Sequence, residues 1–413
     1  MSENKLKISR QNTFSFKGFA SVTDKTFTIN STNTKGDWVH NALNLAIDCG
    51  ESGINYVNAI GGYGPNRDNK IYLQKVDSDG KFLSGENSTQ IVSWDDRFDL
   101  TAEELSLVSY NSLVHVSLEK DENGNNVRKQ FLSMYDAIAY IKDHLNDKDP
   151  IEVRGHLEYR PSPDGSEWYT QHVLDSITLK NPEYLNPIAS VDLMVLVGKK
   201  AMGKPNFEER NIPFFFNTLT YVRTVDGNKY NQTCVVPVKV LLDMNGGYFD
   251  ATTEFGQKNI KYCVENFFEP SEEGRVDELL INCTYSGGVK KVEVTLNDLP
   301  KEIREAVEHG MMREEDVLGA MAISGSAPKE LIFVQVPVYS TKVKDEKGNE
   351  SQNVNMTQNK AKYADEDLIT FEELEPIENV TKTTAPVDNT LELDEDEGNS
   401  LDSILSMFAG LDK

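Results

Sequence analysis

The chain has 413 residues, of which 38% are hydrophobic and 9% aromatic, and its formal net charge is -25. This apolar content supports hydrophobic cores and excludes a chain that is disordered throughout, while the length suits two ordinary domains with extensions. No apolar run approaches the length of a membrane span, and the start, MSENKLKISRQNTF, lacks the apolar stretch of a signal peptide. We therefore expect no membrane partner and a cytoplasmic location.

The first predicted domain covers residues 13–180 and follows a flexible N-terminus, residues 1–12. Hydrophobic alternation predicts strands in FSFKGFASV, WVHNALNLAIDC and INYVNAIGGYG. KIYLQKV and STQIVSW bracket the turn DSDGK and predict an inserted hairpin. A helix is predicted in MYDAIAYIKDHLNDKD, and two more strands in IEVRGHLEYRPSPDGSEWYTQHVLDSITL, joined by a turn at PSPDG.

Three strands, a helix and two strands follow the order of an OB-fold, a five-stranded, partly open Greek-key barrel. We therefore predict a mainly β protein whose first domain is an OB-fold with an inserted hairpin and a helix.

A second β-rich domain is predicted at residues 188–340, after a boundary at NPEYLNPIAS. Its strand candidates are SVDLMVLVG, PFFFNTLTYVRTV, QTCVVPVKVLL, ELLINCTYS and ELIFVQVPVYS. Helical periodicity appears at NIKYCVENFF and at LPKEIREAVEHGMMREEDVLGAM. Another OB-like barrel with insertions accounts for this order, and so does an unrelated α+β domain. The sequence contains no simple internal repeat.

The C-terminal part is acidic, with fifteen Asp and Glu against two Lys from Ala364 to Lys413. We predict a disordered acidic linker at residues 341–398 and an amphipathic tip at residues 399–413. The tip is expected to fold in the groove of a partner protein, whereas the alternative is a tail that only aids solubility. The predicted partner-binding residues are an acidic run and a helical apolar stripe: Asp394, Glu395, Asp396, Glu397, Leu401, Ile404, Leu405 and Phe408.

The stretch IEVRGHLEYRPSPDGSEWYTQHVLDSITL resembles the end of the bacterial and phage single-stranded-DNA-binding protein family. In that family a strand with a central Gly leads into a basic hairpin, and a long strand closes the barrel. NYVNAIGGYG is similar to the third strand of the family, and the acidic tail with its apolar tip is similar to the family's C-terminus. An insertion at about 65–130, a second domain and the ending Gly410-Leu411-Asp412-Lys413 depart from the simple bacterial pattern, so the layout resembles a phage replication protein.

The resemblance implies a protein that coats and protects single-stranded DNA during replication, recombination or repair. It also implies that the acidic tail recruits replication proteins such as a polymerase, helicase or primase, in the bacterial host cytoplasm if the chain is phage-encoded. The alternative is a structural or protein–protein interaction module, such as an acidic DNA mimic, that does not bind DNA.

Binding of single strands requires a cationic groove for phosphates and exposed aromatic rings for bases. The chain offers such residues in the third strand with its following loop, in the hairpin around PSPDG, and in the hairpin around Asp226-Gly227. Tyr159 falls on the apolar face of its strand and is the weaker candidate. The predicted single-stranded-DNA-binding residues are Trp38, Tyr56, Tyr63, Arg67, Lys70, Tyr72, Arg154, Arg160, Trp168, Tyr221, Arg223, Lys229 and Tyr230.

Motifs for catalysis are incomplete. GKKAMGKP approximates a phosphate-binding loop but has Pro205 where a Ser or Thr would ligate magnesium. Asp95, Asp96 and Asp99 have no supporting carboxylate or His motif for a nuclease metal site. The four Cys and six His show no zinc-site spacing. We expect no enzyme activity, no cofactor and no metal.

Overall fold

The computed structural model describes residues 5–85, 88–162, 165–206, 208–289, 300–313, 317, 326–344 and 350–377. The acidic run and the apolar tip of the predicted tail lie outside the described residues. The helices are α1 (Ala102–Ser106), α2 (Met134–His144), α3 (Glu254–Cys263) and α4 (Lys301–Glu308). The strands are β1 (Thr13–Ser21), β2 (Phe27–Thr32), β3 (Val39–Asp48), β4 (Ile54–Tyr63), β5 (Lys70–Gln74), β6 (Thr89–Ser93), β7 (Val114–Lys120), β8 (Asn126–Phe131), β9 (Pro150–Pro161), β10 (Trp168–Leu179), β11 (Ile188–Val197), β12 (Asn211–Val225), β13 (Asn228–Asp243), β14 (Arg275–Val289), β15 (Ser326–Gln335), β16 (Val338–Lys344), β17 (Glu350–Met356) and β18 (Gln358–Ala364).

A closed barrel forms from β1, β3, β4, β10 and β9, in that order around the wall. All neighbours are antiparallel except β4 and β10, which run parallel at Asn58 and Val173. The helix α2 comes between β4 and β9 in the chain. This pairing is that of an OB-fold. The predicted fold class of the first domain is therefore confirmed, and we call this unit barrel 1.

The core of barrel 1 follows from the alternation in its strands. Phe14 and Phe16 on β1 point inward and are almost fully buried. Ser133 caps α2 by accepting a hydrogen bond from the backbone N–H of Asp136. The apolar stripe of the helix then places Ile138 and Ile141 in the core with no exposed surface.

A second closed barrel forms from β11, β12, β13, β15 and β14. Its pairing repeats that of barrel 1, because β13 and β15 run parallel and the other neighbours run antiparallel. The helix α3 lies between β13 and β14 in the chain. The OB-like alternative is therefore the correct one, and we call this unit barrel 2.

The two barrels join through their first strands. The first half of β1 pairs antiparallel with the first half of β11, with Ser15 opposite Ser190. The second half of each strand pairs within its own barrel, β1 with β3 and β11 with β12. Near this junction His172 and the Tyr285 hydroxyl form a hydrogen bond of 2.9 Å. A single sheet therefore runs through both barrels.

The insertion after β4 contains the predicted hairpin, formed by β5 and β6 with Lys70 opposite Ser93. It has its own small core around Ile71, Leu73 and Val92. The hairpin β7–β8 follows, and β7 extends the sheet by pairing with β10.

The C-terminal segment differs from the disorder expected for residues 341–398. Within that range β18 pairs with β14 at the edge of barrel 2, and β17 forms a hairpin with β16. Residues 365–377, which we call the strap, continue from β18 across the protein surface. The strap folds because a few well-placed apolar side chains are buried, among them Phe371 at 8% and Leu374 at 7% exposed.

Candidate nucleic-acid interface

A group of cations is gathered on the outer surface of barrel 1 around one carboxylate. Glu152 on β9 accepts hydrogen bonds from Arg154 at 2.8 Å and from Lys180, just after β10, at 2.6 Å. Ser15 donates a further hydrogen bond at 3.0 Å, and Nζ of Lys17 lies 4.0 Å away. The register of β1 and β9 explains the grouping, since Lys17 lies directly opposite Glu152. We call Lys17, Arg154 and Lys180 the cation cluster.

Glu152 is only 5% exposed, whereas its cations keep 35–63% of their side chains exposed. Burial alone would raise the pKa of this carboxyl, but hydrogen bonds from Lys180 and Arg154 outweigh it and lower the pKa to about 2. Glu152 therefore remains charged at neutral pH and holds the cations in place. Three cations around one carboxylate leave an excess of positive charge facing solvent.

A second set of charges continues along the outward face of β9. His156 contacts Asp175 at 2.9 Å and Glu158 at 3.7 Å, and Arg160 donates to Glu158 at 3.2 Å. Burial alone would lower the pKa of His156, but its contacts with Asp175 and Glu158 outweigh it and raise the pKa to about 9. The hydrogen bond from His156 correspondingly lowers the pKa of Glu158 to about 2. At neutral pH this strand therefore carries a charged imidazolium between two carboxylates.

The stability of the protein should consequently decrease as the pH rises from about 6.5 to about 9, by no more than about 3 kcal/mol from this group. His156 has a higher pKa when folded than when unfolded, so its stabilisation is complete below the unfolded pKa and is lost as pH rises through the folded value. Urea unfolding at several pH values measures the effect. The variant His156→Gln removes the imidazole, so the difference between the stability–pH profiles of the wild type and the variant gives the contribution of His156. Parallel profiles of the wild type and the variant across this window would contradict the assignment.

Three aromatic rings on the described strands of barrel 1 lie exposed, Phe19 on β1 and two tyrosines. Tyr169 on β10 is 48% exposed and lies opposite Arg160, and Tyr56 on β4 is 41% exposed. Tyr159 is buried, as its strand phase predicts, and its hydroxyl accepts a hydrogen bond from Asn12. The outer wall thus combines cations with rings that can stack on bases.

The other predicted residues of the first domain occupy three different environments. Trp38 stacks on His40 with ring centroids 4.2 Å apart. Tyr63 packs on Trp94 at 5.0 Å and on Tyr135 at 5.5 Å, so it is half-buried between the insertion and α2. The remaining three lie in the turn after β4 or on β5: Arg67, which is exposed, Lys70, which pairs with Asp68 at 2.9 Å, and Tyr72, which is half-buried. The structure does not bring these residues to the cation cluster.

Trp168 was expected to be exposed beside its turn, but it is half-buried because Phe371 of the strap packs against it. In barrel 2, Tyr230 also packs on Phe371, with ring centroids 5.4 Å apart. Tyr221 on β12 is 50% exposed, while Arg223 is half-buried and Lys229 exposed on the same hairpin.

Sequence reasoning missed Lys17, Lys180 and Phe215. Phe215 lies on the same outward face of β12 as Tyr221 and is 56% exposed, whereas Phe214 and Phe216 are buried. Strand alternation places Phe215 on the face opposite its two neighbours, so this signal was present. The positions of the two lysines depend on strand register, which the sequence alone does not give.

Among the residues that the structure describes, no group of three or more His, Cys, Asp and Glu side chains could hold a metal ion. The four cysteines are buried and unpaired. Burial raises the pKa of the Cys49 thiol to about 12, so this thiol is protonated at neutral pH. No helix in the described part of the chain is long and apolar enough to cross a membrane.

Two successive barrels with the same strand pairing define a tandem OB-fold protein. No protein-family model matches the chain, and no curated protein matches it. Among solved structures, the chain is similar to the wild-type single-stranded DNA binding protein from Thermus aquaticus, at 10% identity and a TM-score of 0.27, over 67% of this chain and 85% of that one. A deletion mutant of the same protein gives 11% identity and a TM-score of 0.27, over 67% and 87%. The fold assignment therefore rests on the strand pairing of this chain.

Proposed function

We propose that the protein binds single-stranded DNA along the outer wall of barrel 1 and protects it during replication, recombination or repair. The observation that carries this proposal is the cation cluster, held in place by the buried Glu152 on a barrel wall that also exposes Tyr56 and Tyr169. A cationic track beside stacking rings is the combination that binds single strands with little sequence preference.

Barrel 2 extends the proposed surface through Tyr221 and Phe215, which face outward from one strand. The predicted residues Trp38, Tyr63, Arg67, Lys70 and Tyr72 remain candidates for a flanking contact on the insertion side. In this proposal the acidic tail recruits a polymerase, helicase or primase in the cytoplasm. The acidic run followed by an apolar stripe supports that role, because a solvating tail needs no such stripe.

The full chain should bind a fluorescently labelled oligo-dT, with an affinity that decreases steeply with salt because phosphate contacts release counterions. Fluorescence anisotropy at low and moderate salt measures this, with a duplex of the same length as the comparison. Tighter binding of the single strand is expected, because only unpaired bases can stack on exposed rings. Absence of any oligo-dT binding at low salt would reject the proposal and favour a protein–protein interaction module.

A further inference from the structure

The strap crosses from one barrel to the other at the tips of two hairpins. Along β13 it runs antiparallel, because Val235 donates its N–H to the carbonyl of Ile369 at 2.9 Å and Ile377 donates to the carbonyl of Lys229 at 2.7 Å. The amide of Gln232 also donates to the carbonyl of Glu375 at 3.0 Å. The strap is therefore hydrogen-bonded in order along the β12–β13 hairpin.

Phe371 is the anchor of the strap and lies between the hairpins of both barrels. Its ring centroid is 6.0 Å from that of Trp168 on barrel 1 and 5.4 Å from that of Tyr230 on barrel 2. Gly165, in the β9–β10 turn, has a φ of +74°, and a Cβ there would lie 2.9 Å from the Phe371 ring. The turn thus has space for this ring only because a glycine occupies that position.

The charge of the strap resembles that of a nucleic acid. Residues 365–377 contain six carboxylates and no Lys or Arg. Its anchor is followed directly by Glu372 and Glu373, which are both exposed, while Phe371 and Leu374 are buried. Phe371 packs edge-on or tilted between two other rings and is followed directly by two exposed carboxylates in a short 3-10 turn. The strap thus presents an aromatic ring with adjacent negative charge, the two features that a nucleotide offers as base and phosphate.

We propose that the strap is a built-in mimic of a nucleotide, which occupies a single-stranded-DNA subsite between Trp168 and Tyr230 and must leave before DNA enters it. This inference rests on the proposed function, since it assigns a second subsite to the same ligand. It is distinct from the predicted role of the acidic tail, because the strap is a folded segment with a defined aromatic anchor. The closed strap lowers the apparent affinity for DNA by the fraction of molecules in which the subsite is open.

The first experiment compares oligo-dT binding by the full-length wild type and by Phe371→Ala, using anisotropy at about 50 mM salt. Removal of the anchor should lower the apparent Kd by about tenfold, because more molecules have an open subsite. Phe255→Ala on α3 is the matched control, since Phe255 is a 61% exposed ring remote from the strap contacts. A full-length variant with Asp394→Asn, Glu395→Gln, Asp396→Asn and Glu397→Gln neutralises the acidic run of the tail. Its oligo-dT affinity distinguishes the effect of the tail on DNA binding from the effect of the strap.

Hydrogen exchange on the wild-type protein gives a second readout that needs no variant. The backbone amide of Val235 on β13 donates to the strap, and the backbone amide of Ile377 in the strap donates to β13. If oligo-dT displaces the strap, both hydrogen bonds are lost, so both amides should exchange faster in the DNA complex. Equal dT affinity of the wild type and Phe371→Ala, or unchanged protection of these amides in the DNA complex, would overturn the inference while the proposed function stands. If neither protein binds dT, the proposed function fails and the inference fails with it.

Discussion

Replacing Gly155 by alanine should destabilise the protein by more than about 3 kcal/mol. A Cβ at this position would lie 1.8 Å from the carbonyl oxygen of Val173 on β10 and 2.8 Å from the Phe14 ring. Two main chains approach each other there because β9 passes β10 at a register shift. Since the closest atom belongs to the backbone, a side-chain rotation cannot relieve the clash.

The free energy of unfolding by urea measures this effect. Gly246→Ala is the matched control, because a Cβ there meets nothing within 4 Å. The control should change stability little, while Gly155→Ala should shift the unfolding midpoint strongly. If the two substitutions have similar small effects, the close approach of β9 to β10 is not a constraint on barrel 1.

The second large effect is expected on DNA binding. Neutralising the cation cluster together with its carboxylate, as Lys17→Gln, Arg154→Gln, Lys180→Gln and Glu152→Gln, should weaken oligo-dT binding by about 100-fold at about 50 mM salt. The slope of log K against log salt should decrease by about 2, since each single-strand phosphate contact contributes about 0.7. Glu152 is changed with its partners because a buried carboxylate left without cations would itself destabilise the fold.

Lys258→Gln with Lys261→Gln on α3 removes the same net charge from a different surface of the protein and is the matched control. It should leave the salt slope almost unchanged. Equal slopes for the wild type and the four-site variant would show that the phosphates follow another path, and the proposed interface on barrel 1 would be wrong. Circular dichroism of each variant tests whether the barrels remain folded.

The strand order of barrel 1 could be predicted because its alternating segments and its one strong helix follow each other along the chain in the order of OB-fold elements. Barrel 2 was harder, because α3 is amphipathic but short and continues directly into a turn of π-helix at Val264–Phe268. The strand pairing of barrel 2 is the same as that of barrel 1, but this is visible only in the structure, because the two barrels share topology without a detectable sequence repeat. The strap was missed because its polar composition outweighs Phe371 and Leu374, whose burial depends on surfaces supplied by both barrels.

The candidate site was predicted only in part, because the sequence shows the phase of each strand but not which strands pair. Arg154 follows from strand phase, as does the burial of Tyr159, and Arg160 follows from its position beside the turn. Lys17 and Lys180 are distant from Glu152 in sequence and meet it only through strand pairing. Trp168 illustrates the opposite error, because a position beside a turn favours exposure unless another segment packs over it.

The antiparallel pairing of β1 with β11 relates the two barrels as if they were two copies of one protein associated through their first strands. In a homodimer every substitution would appear in both copies at once. Here both halves belong to one polypeptide, so each half is free to change independently. The three exposed cations around Glu152 in one half and the outward Phe215 and Tyr221 in the other are differences of this kind. Two unlike halves give the joined surface a direction, so a strand bound along it in the proposed manner would have a preferred polarity.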